Sequence, residues 1–333
     1  MHTPAPTRLL HLRREVLAGA LNHAFTQSAR LGRLLPVARP GRHGVRLERD
    51  LAWRAPVAGD PSAHLLDLWS PIDRSGPLPV ILYIHGGGFR GCSKDTHWSL
   101  SIAFARAGYL VLTVNYRLGP THRYPAALQD CLEAWTWAVD NVARHGGDPA
   151  RIVVAGESAG GNLTAAVGAA LCWRRPEPWA QAAFDRGVSP VALSPACGIL
   201  QVSDPLRFTR RKPQLPALTQ DVISSCFYSY IGDHSKIGQD NELADPLLVF
   251  ERAGPPDRPI PPVFLLCGTK DPLLDDTRRM AAALAARGAP HEVRYYPGQE
   301  HAFHAWVLRS QAVICWRDQL RFLAPLTGAP APA

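Results

Sequence analysis

Arg151-Ile-Val-Val-Ala-Gly-Glu-Ser-Ala-Gly-Gly161 is the stretch that decides how the rest of the chain is read. Ile152, Val153 and Val154 form an unbroken apolar run, the pattern of a strand buried on both faces. From Asn162 to Leu171 the residues are mostly small and lack proline, which predicts a helix. Between them stands Gly156-Glu157-Ser158-Ala159-Gly160, a G-x-S-x-G pattern. A strand that turns abruptly into a helix leaves the middle serine on a strained corner with its hydroxyl pointing out. Glycines flank it because a Cβ there would meet the neighbouring strand or helix. The helix N-terminus behind the serine offers free N–H groups and a partial positive charge, which suits a nucleophile whose attack creates an oxyanion. Such a short pattern also recurs by chance, so Ser158 needs a base, an acid and oxyanion donors from elsewhere in the chain.

Outward from this stretch, strands and helices alternate. Val45–Trp53 and His64–Trp69 alternate apolar and polar residues, as half-exposed antiparallel strands do. Leu78–Ile84 is a buried strand that runs into His85-Gly-Gly-Gly-Phe89. A turn needs one or two glycines; three in a row can expose several N–H groups to a ligand. Asp95 is placed to cap a helix carrying Trp98, Ile102 and Ala105 on one face. Tyr109–Val114 is the next strand. The stripe Leu128, Leu132, Trp135, Val139 and Val142 marks a helix from Pro125, stopped by Gly146-Gly147. Further strands are expected over Val188–Leu193, Val263–Cys267 and His291–Tyr296, with helices over Thr219–Ile231, Asp275–Arg287 and Phe303–Leu323. Before Val45, Val16–Phe25 reads as an amphipathic helix in an arm spanning 1–43. The Pro/Ala tail from Ala324 reads as loose. This alternation means a mostly parallel sheet with helices on both faces, whose chemistry gathers at the carboxyl ends of the strands.

Composition narrows the class. With 333 residues, 46% hydrophobic and 19% charged, the chain is a soluble globular protein with a large core. The net charge is +8, but the basic residues are spread out. The densest run, Arg207-Phe-Thr-Arg-Arg-Lys212, reads as a solvated face, so no nucleic-acid partner is expected. Seven cysteines lie at least 25 residues apart and show no zinc spacing. Free thiols, no run of about 20 apolar residues and no secretory h-region give the expectation of a cytoplasmic protein without stable membrane insertion.

The catalytic partners then follow. A serine hydroxyl needs a neighbour to take its proton. His301, in Gly298-Gln-Glu-His-Ala-Phe303, sits between the last strand and the last helix, with His304 as its local rival. A metal held by that i, i+3 pair lacks a third ligand, so none is expected. The base must be held in one tautomer by a carboxylate. Asp271, in Gly268-Thr-Lys-Asp-Pro-Leu-Leu-Asp-Asp276, follows a core strand, whereas Asp275 and Asp276 suit helix capping better. Gly87 and Gly88, with Ala159 just after the serine, are the expected oxyanion donors. The order Ser, Asp, His is that of α/β-hydrolases.

These motifs, together with Asn115-Tyr-Arg-Leu118, resemble the hormone-sensitive-lipase family of α/β-hydrolases over about residues 45–323. The resemblance implies an α/β-hydrolase fold with a helical cap and hydrolysis of short- to medium-chain carboxylic esters without a cofactor. It implies Ser158 as nucleophile, Asp271 as acid, His301 as base, and the whole Gly86–Gly88 loop in the oxyanion hole. It divides the chain into an arm (1–43), a core (44–198 and 263–325), a cap insertion (199–262) and a tail (326–333). The expected partner is a small-molecule ester. Family members often pair through the final strand and helix, which makes a homodimer an expectation. Amide hydrolysis by the same triad, a silent ligand-binding protein and a peripheral membrane lipase are the alternatives. The family's Tyr-Arg-Leu-Ala-Pro-Glu reads Tyr116-Arg-Leu-Gly-Pro-Thr121 here, so one acidic residue is missing.

Overall fold

The apolar runs assemble into one eight-stranded sheet. The structure is a computed structural model that describes residues 8–73, 75–211, 213–232 and 242–331. The strands are β1 (Val45–Ala52), β2 (Leu65–Pro71), β3 (Leu78–Ile84), β4 (Leu110–Val114), β5 (Gly147–Glu157), β6 (Ala192–Ala196), β7 (Val263–Gly268) and β8 (His291–Tyr296). Their order is β1-β2-β4-β3-β5-β6-β7-β8. Both pairs made by β2 are antiparallel and the rest are parallel.

Strand periodicity sorts the core into two layers. Val80, Leu82, Ile84, Ile152 and Val154 face one side; Ile81, Tyr83, Val153 and Ala155 face the other. The first layer packs under α3 (Ala126–Asn141), α4 (Ala159–Cys172) and α5 (Pro178–Phe184). The second packs under α2 (Trp98–Arg106) and the last helix, α10. Every residue of β3 is buried, and a fully buried Val or Leu contributes about 1.5–3 kcal/mol. Small residues let α4 bury all fourteen of its positions against β5, β6 and its neighbours.

The remaining helices are α1 (Arg8–Leu34), α6 (Arg207–Arg211), α7 (Ala217–Ile231), α8 (Pro246–Arg252), α9 (Leu274–Ala286) and α10 (Ser310–Thr327). The arm is therefore one long helix rather than the short one expected over Val16–Phe25. It packs on α7, where Arg13 Nη2 meets Asp221 Oδ2 at 2.6 Å. Arg33, near its C-terminal end, pairs with Asp95.

Several sequence expectations are corrected. The sixth strand starts at Ala192, not Val188, because pairing with β5 begins only at Val153–Ala192. Asp95 caps nothing on α2; it pairs with Arg33, Arg49 and Lys94. Asp275 and Asp276 lie inside α9, which has no side-chain cap. Asp276 is fully buried, receives the Leu200 N–H at 2.9 Å and pairs with Arg207. Arg207 is thus a buried ion-pair member, not part of a solvated face. The last helix starts at Ser310, after an exposed turn holding Trp306 and Leu308, and runs to Thr327. The tail from Ala324 is therefore helical for its first four residues. Lys212, most of the segment after Gly232 and the last two residues lie outside the described residues.

Candidate active site

Ser158 stands at the junction of β5 and α4 with φ 58 and ψ −116. That left-handed backbone is unusual for a residue with a Cβ and stores strain at the corner. The turn is held from both sides. Ser158 N–H donates to Ala196 O at 3.0 Å, and its carbonyl accepts from Ile199 and Asn162. Asn162 Nδ2 in turn donates to Ile199 O at 2.8 Å. A Cβ at Gly160 would collide with the Ile84 carbonyl, so glycine is required where α4 crosses the end of β3.

His301 and Asp271 arrive on the loops after β8 and β7. The two loops are stitched together: Lys270 N–H donates to Gln299 O at 2.9 Å, and Gly298 N–H to Thr269 Oγ1 at 2.8 Å. Asp271 is fully buried. One carboxylate oxygen accepts the Leu273 N–H at 2.8 Å; the other lies 2.8 Å from His301 Nδ1. His301 Nε2 lies 2.9 Å from Ser158 Oγ, and its side chain keeps 35% exposure. With Nδ1–H donating to Asp271, Nε2 presents its lone pair to the serine hydroxyl. Burial disfavours a charged His301, but Asp271 outweighs it and leaves the pKa raised. The three residues singled out from separate strand ends are therefore brought together. His304 is not part of this chain: it is buried, and burial lowers its pKa to about 4.

The glycine loop lies beside the turn. Gly87 and Gly88 have φ of 113 and 62, which glycine adopts without strain. Neither of their N–H groups meets an acceptor among the described residues. Gly86 differs. Its N–H donates to Glu157 Oε1 at 2.6 Å, so it is removed from the expected oxyanion donors. Ala159 N–H, at the first position of α4, has no intrahelical partner by geometry. The hydroxyl, base and free donors together suit attack on a carbonyl carbon, followed by stabilisation of the resulting oxyanion.

Sequence reasoning missed Glu157 and His97. Glu157 occupies the variable position before the serine. Its Oε1 also lies 2.6 Å from His97 Nε2, and its Oε2 accepts from Tyr83 Oη. Spacing offers no signal for a contact across 60 residues. As for metals, Cys197, Asp271 and His301 offer donor atoms within 4.8 Å of one another, the one such trio among the described residues. Asp271 and His301 are already hydrogen-bonded to each other.

α7 lies against the glycine loop. A Cβ at Gly88 would collide with Cys226 Sγ. Tyr230 stacks on Phe89 with centroids 3.8 Å apart, and Arg90 Nη1 donates to Ser229 Oγ at 3.1 Å.

A family model of the alpha/beta hydrolase fold matches residues 81–305. Carboxylesterase NlhH of Mycobacterium tuberculosis is 33% identical over 240 residues, covering 71% of this chain and 69% of that protein. Esterase LipU of the same species is 30% identical over 273 residues, covering 80% of this chain and 84% of that protein. Among solved structures, esterase LipW from Mycobacterium marinum superposes with a TM-score of 0.72 at 23% identity, covering 93% of this chain and 90% of that one. With that agreement of fold and relatives, the chain belongs to the hormone-sensitive-lipase-like family of α/β-hydrolases and is a carboxylic ester hydrolase.

Proposed function

We propose that the chain hydrolyses short- to medium-chain acyl esters through an acyl-enzyme on Ser158, with His301 as base and Asp271 as its orienting acid. The observation that carries this reading is the continuous hydrogen-bonded line from Asp271 through His301 to Ser158 Oγ, with steps of 2.8 and 2.9 Å. His301 Nε2 takes the hydroxyl proton as Oγ attacks the ester carbonyl carbon. The oxyanion is held by the N–H groups of Gly87, Gly88 and Ala159. Collapse expels the alcohol, which receives the proton from His301. A water molecule, deprotonated by the same ring, then releases the acid and regenerates Ser158.

α1 and the segment carrying α6–α8 act as the cap, and α7 forms the wall over the glycine loop that limits acyl length. The contacts of Cys226 and Tyr230 with that loop support this role. No described helix is long and apolar enough to cross a membrane, and seven cysteines with no disulfide among them support a reducing compartment, the cytoplasm. Hydrolysis of p-nitrophenyl esters from acetyl to palmitoyl tests the reading. Wild type should turn over the shorter members, and Ser158→Ala should fall to background. A silent wild type, or an active Ser158→Ala variant, would overturn it. Anilide substrates in the same assay decide between ester and amide hydrolysis.

A further inference from the structure

Behind Ser158 lies a second histidine–carboxylate pair that the proposed mechanism does not use. Glu157 and His97 are both buried. Glu157 Oε1 accepts the Gly86 N–H and faces His97 Nε2, each at 2.6 Å. The opposite ring nitrogen, His97 Nδ1, faces Thr96 Oγ1 at 2.8 Å and Ser93 O at 3.1 Å. Thr96 Oγ1 also lies 2.7 Å from Ser93 O, and when it donates there its lone pairs are left to accept from the ring. Nε2–H can thus donate to Glu157 while Nδ1–H donates to the Ser93 carbonyl, an arrangement that suits the doubly protonated imidazolium. Gly86 is held at both ends, because its carbonyl also accepts from His85 Nδ1 at 2.7 Å.

We propose that Glu157 and His97 form a buried ion pair that positions the oxyanion loop, anchoring Gly86 so that the N–H groups of Gly87 and Gly88 stay aimed at the reacting carbonyl. Neither residue touches substrate; both are positioning residues. Glu157⁻ alone would oppose a developing oxyanion nearby, and the charge of His97 cancels it. This inference rests on the Ser158–Asp271–His301 reading.

One neighbour of the pair titrates with it: His301, whose pKa is raised, against burial, by Asp271 and, more weakly, by Glu157 itself. His85 and His304, facing the pair from the glycine loop and from the turn before α10, are held neutral by burial, with pKa values lowered to about 3 and about 4. Burial pushes Cys92 up to about 12 and Tyr83 and Cys197 well above their usual ranges. Burial also opposes the charge of His97, but Glu157 outweighs it and raises the pKa. The imidazolium therefore persists above pH 6.5 and is lost as pH rises further. Loss leaves Glu157⁻ unpaired and the anchor weakened, so kcat should fall on the alkaline side.

The test combines the pH profile of kcat with ¹⁵N spectra of labelled histidines. In wild type, an imidazolium with both nitrogens protonated should be present at pH 7, be assigned to His97 by its absence in His97→Gln, and remain in Ser158→Ala. His97→Gln and Glu157→Gln should lower kcat by about 10- to 10²-fold, the scale of a ~1 Å misplacement, with little change in KM. Both should lose the alkaline limb, whereas Glu157→Asp, which keeps the charge, should retain it. A neutral His97 at pH 7 in wild type overturns the proposal, and it does so even if both variants fail to fold. An unchanged alkaline limb in a folded His97→Gln variant does the same. Activity persisting in Ser158→Ala or His301→Ala would overturn the triad reading alone, and the ¹⁵N result would stand apart from it.

Discussion

Two histidine–carboxylate pairs meet at the nucleophile turn, and they differ in what their rings have left to do. His301 gives one nitrogen to Asp271 and keeps the other against a hydroxyl, which can donate as well as accept. Its side chain is 35% exposed. His97 has both nitrogens against acceptors, and its side chain is only 7% exposed. On the readings proposed above, the same chemical couple serves as a proton relay in one place and as a fixed charge in the other. What separates them is one uncommitted lone pair with access to the outside. A carboxylate beside a histidine does not by itself make a base.

The largest expected effect breaks the open pair. His301→Ala should lower kcat by on the order of 10⁴–10⁶, because the hydroxyl loses its proton acceptor. Asp271→Asn should follow at about 10⁴, the scale on which a serine triad responds to amidation of its acid. The sign of its pH shift is a second check. In the proposed mechanism neutral His301 is the active form, and Asp271 raises its pKa. Activity is therefore lost as pH falls through that raised value. Without the carboxylate the pKa drops, so the acid limb should move to lower pH while the plateau falls. An acid limb that stays in place in Asp271→Asn would mean that another group controls it.

The two pairs were not equally visible in the amino-acid sequence. Ser158, Asp271 and His301 each come shortly after an expected strand, and strand ends of a parallel sheet converge on one edge. Position alone could therefore nominate them. Glu157 reads as a free position inside a five-residue pattern, and His97 as one of 13 histidines just before a helix. Their meeting depends on β3, β5 and the loop before α2 packing together, which no local period encodes. The misreading of Gly86 has the same origin, since its N–H is taken by a carboxylate 71 residues away. The fold shows a similar division. β3, β7 and the Ile152–Val154 part of β5 are continuous apolar runs and were legible. The start of α10 was not, because Trp306 and Leu308 read as part of an apolar helix yet are 61% and 85% exposed in a turn.

A smaller effect probes the closed pair without touching either charge. An ideal Cβ on Gly86 would stand 2.6 Å from Glu157 Oε1 and 2.9 Å from its carbonyl oxygen. Gly86→Ala must push Glu157 away from the backbone it holds. A loss of about 1–3 kcal/mol of stability is expected, as for other overpacked sites. A fall in kcat of about tenfold should accompany it through the displaced loop, short of the 10²-fold scale of a full ~1 Å shift. Denaturant melts and kcat measured together check this. A destabilised variant with wild-type kcat would show that the anchor serves the fold and not the loop.

The smallest effect on activity is expected at His304, which sharpens the comparison by belonging to neither pair. It is buried between Phe303 and Trp316, its Nδ1 has no hydrogen-bond partner, and burial lowers its pKa to about 4. A histidine buried neutral binds a proton in the unfolded chain before it does so in the folded one. Stability is therefore lost as pH falls from the ordinary value near 6.5 towards 4, by up to about 3 kcal/mol. His304→Leu keeps a similar volume beside Phe303 and Trp316 and removes that titration. The variant should keep kcat within about threefold, since no reacting group loses a partner. It should also lose less thermal stability between pH 7 and pH 5 than wild type does. If instead its activity collapsed with an intact fold, the base would have to be sought at His304, and the open pair would lose its claim to the proton.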